Sequence, residues 1–184
     1  MTSLTSRATE RILRRRRLRR DVEDFVLAGH HVPHGARVRT SELPAAVVTY
    51  LRVGRRFRRD GLLAAVRAIP APRGPRHDLE PAIAAICARS AAGRVLGLAR
   101  TVGGRHLCLH ESLAVTASLR RLGFEANAVI GYPVIERADG DEELHAWPQV
   151  GDVVVTDRLG VAPLNFVEIA RYPSERGVAA VEAA

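Results

Sequence analysis

The spacing of the apolar residues changes at Gly123, and this change constrains the fold more than any other feature of the chain. Before Gly123, apolar residues recur at the spacing of amphipathic helices. After it, short runs rich in β-branched residues alternate with Gly, Asp and Pro, which is typical of strands joined by tight turns. Helices followed by strands predict an α+β fold with a mostly antiparallel sheet.

The element boundaries follow from capping residues and from Gly and Pro. The pattern predicts helices over 7–28, 41–59, 62–69, 78–102 and 108–122, and strands over 126–134, 144–150, 153–157 and 164–169. Gly123 suits the position just past the last helix, where left-handed backbone is common. The linker at 70–77 divides the chain into an Arg-rich helical N-terminal region (1–77), a core (78–172) and a tail (173–184).

Size and composition exclude several classes of protein. A chain of 184 residues buries enough surface to fold without a disulfide or a metal. The two cysteines, Cys87 and Cys108, form no disulfide framework and no Cys-x-x-Cys pair. No apolar run approaches the roughly 20 residues of a membrane span, and the N-terminus does not resemble a signal peptide. We therefore predict a cytoplasmic protein.

The positive charge is concentrated at the N-terminal end. The net charge is +8, and residues 1–60 hold 15 basic and 6 acidic residues. All 28 basic residues are arginines, whose guanidinium groups form bidentate hydrogen bonds with carboxylates. We expect residues 1–43 to dock a partner protein or an acidic peptide. Nucleic acid is a weaker candidate, because aromatic residues for base stacking make up only 4% of the chain.

Cys108, His145 and Asp157 have side chains that suit nucleophilic catalysis. Cys108 falls in the first turn of a predicted helix, where free backbone N–H groups and the helix dipole favour a thiolate. His145 and Asp157 lie on successive predicted strands, and a hairpin with its turn at 151–152 brings them together. Thiolate, imidazole and carboxylate would then act as nucleophile, base and orienting group.

Each of these residues also has a purely structural interpretation. A cysteine at an apolar helix start is usually a small core residue, and a single histidine is often half-buried and hydrogen-bonded. Asp157 also suits a turn. Cys87 shares a helical stripe with Ile83 and Ile86, so we predict that it belongs to the core.

Zinc binding is the main chemical alternative. The candidate ligands are His106, Cys108 and His110, which alternate along the chain, and His30, His31 and His34 in a predicted loop. A structural zinc site needs four ligands, usually from two spaced pairs, and neither group has a second pair. The chain has no lysine, and therefore no Gly-x-x-x-x-Gly-Lys phosphate loop. We predict no metal and no other cofactor.

Five motifs together resemble one known family. They are Cys-Leu-His-Glu-Ser-Leu (108–113), Leu-Arg-Arg-Leu-Gly (119–123), Val-Ile-Gly (129–131), His-Ala-Trp (145–147) and Val-Thr-Asp (155–157). This set is similar to that of the transglutaminase-like cysteine peptidases of lasso-peptide biosynthesis, the protease half of the lasso B protein. The resemblance covers roughly residues 78–170. It departs from the family at Pro148-Gln149, where members usually have Val-Glu, and a proline needs an unpaired strand position there.

The resemblance implies a transglutaminase-like (papain-like) core in which Cys108 is the nucleophile, His145 the base and Asp157 its orienting partner. Trp147, on the same strand face as His145, would shield the site or pack beneath it. The implied substrate is a ribosomally made precursor whose leader peptide is removed before macrolactam closure. The implied partners are a separately encoded leader-recognition protein and a macrolactam synthetase. Amide cross-linking on the same fold and a non-catalytic peptide- or nucleic-acid-binding module are the alternatives.

Overall fold

The computed structural model describes Arg14, Arg17, Leu18, Asp21, Val22, Phe25 and the segments 32–74, 76–103, 107–134, 144–156 and 165–173. The chain divides into two compact units, residues 1–34 and residues 35–184. In the first unit, the described residues between Arg14 and Phe25 are helical, in agreement with the predicted first helix. The second unit contains the remaining elements.

In the part of the second unit that the structure describes, three α-helices form the first half. A 3₁₀ turn at Thr40–Glu42 leads into α1 (Leu43–Arg67), which is followed by α2 (Pro81–Gly103) and α3 (Cys108–Arg121). The two helices expected over 41–59 and 62–69 are the two halves of α1. They meet at Gly61, whose backbone is not helical (φ 81°, ψ −172°), a conformation that glycine adopts without strain.

Helix α3 ends as its sequence predicts. Gly123 adopts a left-handed conformation with φ 95°. Its N–H donates to the carbonyl of Arg120, and the N–H of Phe124 donates to that of Leu119, both at 3.0 Å. These two bonds define a Schellman motif, which satisfies carbonyls that would otherwise lack partners at the helix end.

The described residues of the second half of the unit form an antiparallel sheet of four strands. They are β1 (Ala126–Pro133), β2 (His145–Val150), β3 (Val153–Val154) and β4 (Phe166–Tyr172), in the spatial order β3-β2-β1-β4. Every pairing is antiparallel, so the predicted α+β fold with helices first is confirmed. β3 is shorter than expected, and β4 begins and ends later in the chain.

Pro148 lies inside β2, at a position where a missing N–H costs no pairing with β1. Its carbonyl accepts a 2.8 Å hydrogen bond from the N–H of Val155, on the side away from β1. The N and C=O of one strand residue point to the same side, so the ring nitrogen also faces away from β1. The proline therefore occupies a position whose nitrogen is not needed for pairing with β1, as the sequence requires.

The core lies between the sheet and the helices. Helix α3 packs on β1 and β2, and α1 packs against α3. Buried residues from all of these elements form one cluster, including Val53, Leu113, Ile130 and Ala146. This packing places the first turn of α3 beside the start of β2.

Arg76 fastens the segment before α1 to the rest of the unit. Its guanidinium is buried and donates to the carbonyls of Ala36 and Leu122 and to the carboxylate of Glu42, at 2.8–3.0 Å. These hydrogen bonds hold the pKa of the Glu42 carboxyl below its usual value. Residues 36–42 are therefore part of the folded body, and the docking role of residues 1–43 stays a prediction.

By length and composition alone, the stretch Pro81–Val102 of α2 is apolar enough to cross a membrane. In its most apolar window of 18 residues, 56% is buried within the described fold, and core helices often pass the same test.

Candidate active site

Cys108 is the first residue of α3, as the sequence predicts. Leu107 precedes the helix in an extended conformation, and the N–H of Glu111 makes the first helical bond, to the carbonyl of Leu107 at 2.9 Å. The N–H groups of Cys108, Leu109 and His110 thus precede the helical hydrogen-bond ladder, where the helix dipole is positive. The thiol is half-buried.

His145, the first residue of β2, interacts with the thiol of Cys108. A hydrogen bond with His145 is the largest cause of a lowered Cys108 pKa. Backbone N–H groups of Ala146 and Leu109 lower the pKa further, while partial burial opposes them. The Cys108 Sγ also lies 3.8 Å from the carbonyl oxygen of Leu144. The fold therefore brings together two of the three predicted site residues, 37 positions apart in sequence.

Ser112 holds the helix against the strand that carries His145. Its hydroxyl is buried and donates a 2.8 Å hydrogen bond to the carbonyl of Ala146. The same residue, Ala146, directs its N–H toward the Cys108 sulfur. One strand residue therefore contacts α3 twice, one helical turn apart. The sequence shows Ser112 as part of a motif but gives no indication of this role.

Aromatic rings surround the imidazole of His145 on the side of the sheet away from α3. Its centroid lies 5.9 Å from that of Trp147 and 5.2 Å from that of Phe166. Gly131, opposite His145 in β1, makes room for them, because a Cβ there would lie 2.7 Å from the Trp147 ring and 2.8 Å from Phe166. Trp147 shares a strand face with His145 as expected, and at 2% exposure it packs behind the imidazole.

The other polar residues of the first turns of α3 point elsewhere. His110 is buried and stacks on Phe57 of α1, with ring centroids 5.4 Å apart. Glu111 is buried and accepts a 2.9 Å hydrogen bond from Arg100 of α2. Both side chains therefore join α3 to the neighbouring helices.

The remaining predicted positions have separate outcomes. Cys87 is buried in α2, in agreement with its expected place in the core. Asp157 lies outside the described residues, as do His30, His31 and His106, so the role of Asp157 stays a prediction. Among the described residues, no three His, Cys, Asp or Glu side chains are grouped so that they could hold a metal ion.

Comparison with known proteins identifies the family of this chain. A model of the transglutaminase-like superfamily matches residues 45–170, more than half of the chain. The match runs from the first turn of α1 into the last strand and includes Cys108 and His145. A search of curated proteins and a search of solved structures found no match. The chain belongs to the transglutaminase-like superfamily.

Proposed function

We propose that this protein is a cysteine peptidase that removes the leader from a ribosomally synthesised precursor during lasso-peptide maturation. The observation that carries the proposal is the Cys108–His145 pair, in which the imidazole and two backbone N–H groups lower the pKa of a half-buried thiol. Perturbed pKa values of this kind are typical of catalytic nucleophiles. The motifs described above connect this pair with the lasso-peptide peptidases.

The proposed reaction is acyl transfer. The Cys108 sulfur attacks the scissile carbonyl while His145 holds the thiol proton, and the N–H groups at the start of α3 stabilise the oxyanion. The C–N bond then breaks, His145 gives its proton to the leaving amine, and a thioester remains. Water attacks the thioester with His145 as base, which releases the new carboxylate and restores the thiol. Asp157 would orient the imidazole.

In this proposal the protein works in the cytoplasm with two partners. A separately encoded recognition protein presents the leader, and a macrolactam synthetase closes the ring after cleavage. If Cys108 instead attacks the side-chain amide of a glutamine, ammonia leaves, and an amine that resolves this second kind of thioester gives amide cross-linking. Hydrolysis adds one water to the mass of the products, whereas cross-linking at a glutamine loses ammonia.

The test uses the peptide encoded by a short open reading frame beside the gene. The purified protein, the neighbouring recognition protein and this peptide are mixed, and the products are analysed by mass spectrometry. We expect one cleavage that adds one water and requires both Cys108 and His145. Ammonia loss would favour cross-linking, and turnover by the Cys108→Ala variant would exclude both reactions at this site.

A further inference from the structure

The sheet face that packs on α3 extends beyond the start of that helix. On β1, residues 128, 130 and 132 point to this face, and on β2 residue 146 does so, because side chains alternate along a strand. Leu144 directly precedes β2. Ile130 and Ala146 are 7% and 5% exposed, but Tyr132 and Leu144 are 37% and 50% exposed. The core face therefore ends in apolar side chains that reach solvent.

β4 adds a further apolar residue to the same face. Tyr132 pairs with Val167, and a bulge in the β1–β4 pairing gives β4 one extra residue at Ile169. This extra residue keeps Val167 on the face of Ala170, which packs on the core. Val167 is 57% exposed, so β1 and β4 present two paired and exposed side chains, Tyr132 and Val167, and the exposed Leu144 immediately precedes the neighbouring strand β2.

Leu107 is a fourth exposed apolar residue near the candidate nucleophile. It directly precedes Cys108 and is 80% exposed. We call the four residues Leu107, Tyr132, Leu144 and Val167 the apolar shelf. None of the four side chains carries a charge, and exposed apolar groups gathered at one place mark binding surfaces more often than scattered ones do.

The apolar shelf adjoins the nucleophile. The carbonyl of Leu144 lies 3.8 Å from the Cys108 sulfur, and Leu107 is the residue before Cys108. Adjacent strands are about 4.8 Å apart, so the row from Leu144 to Val167 spans roughly 10 Å. This width fits one or two side chains of an extended peptide whose carbonyl reaches Cys108.

We propose that the apolar shelf binds a bulky apolar side chain of the substrate beside the carbonyl that Cys108 attacks. The inference rests on the proposed function, since it assigns the substrate preference of that same thiol. A charged side chain at this place would lose hydration without gaining an opposite charge from the four shelf residues. The substrate class is therefore a peptide with a large aliphatic or aromatic residue next to the bond that is cut.

The experiment compares three alkylating probes on the full chain: iodoacetamide, N-hexyl iodoacetamide and N-(2-carboxyethyl) iodoacetamide. Rate constants for Cys108 are measured by peptide mass mapping and divided by those for glutathione. We expect the normalised rate of the hexyl probe to exceed that of iodoacetamide by about tenfold, which burial of two methylene groups supplies. The normalised rate of the carboxyethyl probe should not exceed that of iodoacetamide.

Two double variants test whether the preference for the hexyl probe depends on the apolar shelf. In Tyr132→Ser/Val167→Ser, the hexyl preference should fall to within about twofold of unity, while iodoacetamide reacts at the wild-type rate. The control, Val48→Ser/Leu98→Ser, changes side chains of 54% and 47% exposure on α1 and α2 and should keep the full preference.

The outcomes separate this inference from the proposed function. Fast iodoacetamide labelling of Cys108 without a hexyl preference would overturn the shelf and leave the nucleophile in place. A preference that survives in Tyr132→Ser/Val167→Ser would also overturn it. If no probe labels Cys108, the proposed nucleophile is wrong, and the shelf assignment falls with it.

Discussion

The hydroxyl of Ser112 donates a 2.8 Å hydrogen bond to the carbonyl of Ala146, the residue that follows His145. Since Cys108 lies one turn before Ser112 on α3, this bond fixes the distance between the nucleophile and its base. A catalytic pair built on two different elements needs such a bond, because small displacements are costly to reaction rates.

We expect Ser112→Ala to destabilise the protein by about 1–3 kcal/mol, since it leaves a buried carbonyl without its partner. The same change should raise the pKa of Cys108 by loosening its contact with His145, and should lower kcat/KM by about tenfold or more. Thermal unfolding and the pH profile of alkylation measure the two effects.

Ser118→Ala is the matched control for this prediction. Ser118 lies on the same helix, and its buried hydroxyl donates to the carbonyls of Ala46 and Ala114 at 3.0 and 2.9 Å. Its loss should lower stability and leave the alkylation profile of Cys108 unchanged. If the pH profile of Cys108 alkylation is the same in Ser112→Ala and Ser118→Ala, Ser112 has no positioning role.

A second prediction concerns the thiols. Because its pKa is lowered, the Cys108 thiolate forms at lower pH than an ordinary thiolate, whose pKa is about 8.5. Its alkylation rate should therefore rise with pH and reach half its maximum below that value. His145→Ala should move the midpoint upward, and buried Cys87 should stay unlabelled in the native protein. Preferential labelling of Cys87 in brief iodoacetamide treatment would contradict the assignment.

A third prediction treats the catalytic residues as one unit. Cys108→Ala and His145→Ala should each abolish cleavage, and the double variant should be no worse, because both act in the same step. Asp157→Asn should be slower than the wild type by up to about 10⁴-fold, the loss that the same change causes in a serine protease triad, and by less if the thiol is already ionised. Normal turnover by Asp157→Asn would remove that residue alone from the site.

Gly131 gives a fourth prediction. A Cβ at this position would lie under 3 Å from Trp147 and Phe166, so Gly131→Ala should cost about 1–3 kcal/mol and displace the imidazole that these rings support. Gly97→Ala in α2 is the control, since no atom lies within 4 Å of its Cβ, and helix propensity makes it stabilising by up to about 1 kcal/mol. In chemical denaturation, the midpoint concentration should therefore fall for Gly131→Ala and rise for Gly97→Ala.

A fifth prediction separates the two units of the chain. Removal of residues 1–34 should leave the fold and the reactive thiol intact while weakening association with a partner in a salt-dependent way. Removal of residues 1–40 should also cost about 3 kcal/mol or more, because Arg76 and Arg94 lose carbonyl partners at Ala36 and Val38. Similar unfolding curves for the two truncated proteins would contradict the role assigned to Arg76.

Local patterns predicted much of this structure. Short windows of sequence display backbone preferences and the period of the apolar residues. These two signals predict the helix end at Gly123, the helix interruption at 60–61 and the antiparallel sheet. The position of Cys108 at a helix start followed from the same reasoning. Its contact with His145 needed the motifs as well, because spacing alone does not bring a helix and a strand together.

Long-range contacts were not predictable in this way. Arg76 was one arginine among 28, and its acceptors are distant in sequence, at Ala36, Glu42 and Leu122. The Ser112–Ala146 bond likewise depends on how α3 lies on β2. The start of β4 was misplaced because turn residues and apolar residues are mixed between 157 and 166, which leaves the period ambiguous.

Three groups contact the Cys108 sulfur, and they respond differently to a change of pH. The N–H groups of Ala146 and Leu109 belong to the main chain and keep their polarity at any acidity, whereas the imidazole of His145 gains and loses a proton. Of the three groups that contact the sulfur, a change of acidity therefore alters only the imidazole, while the thiol itself also titrates. No substitution of the Ala146 or Leu109 side chains by other non-proline residues removes the permanent dipoles, so the thiol keeps part of its activation even where its base is lost.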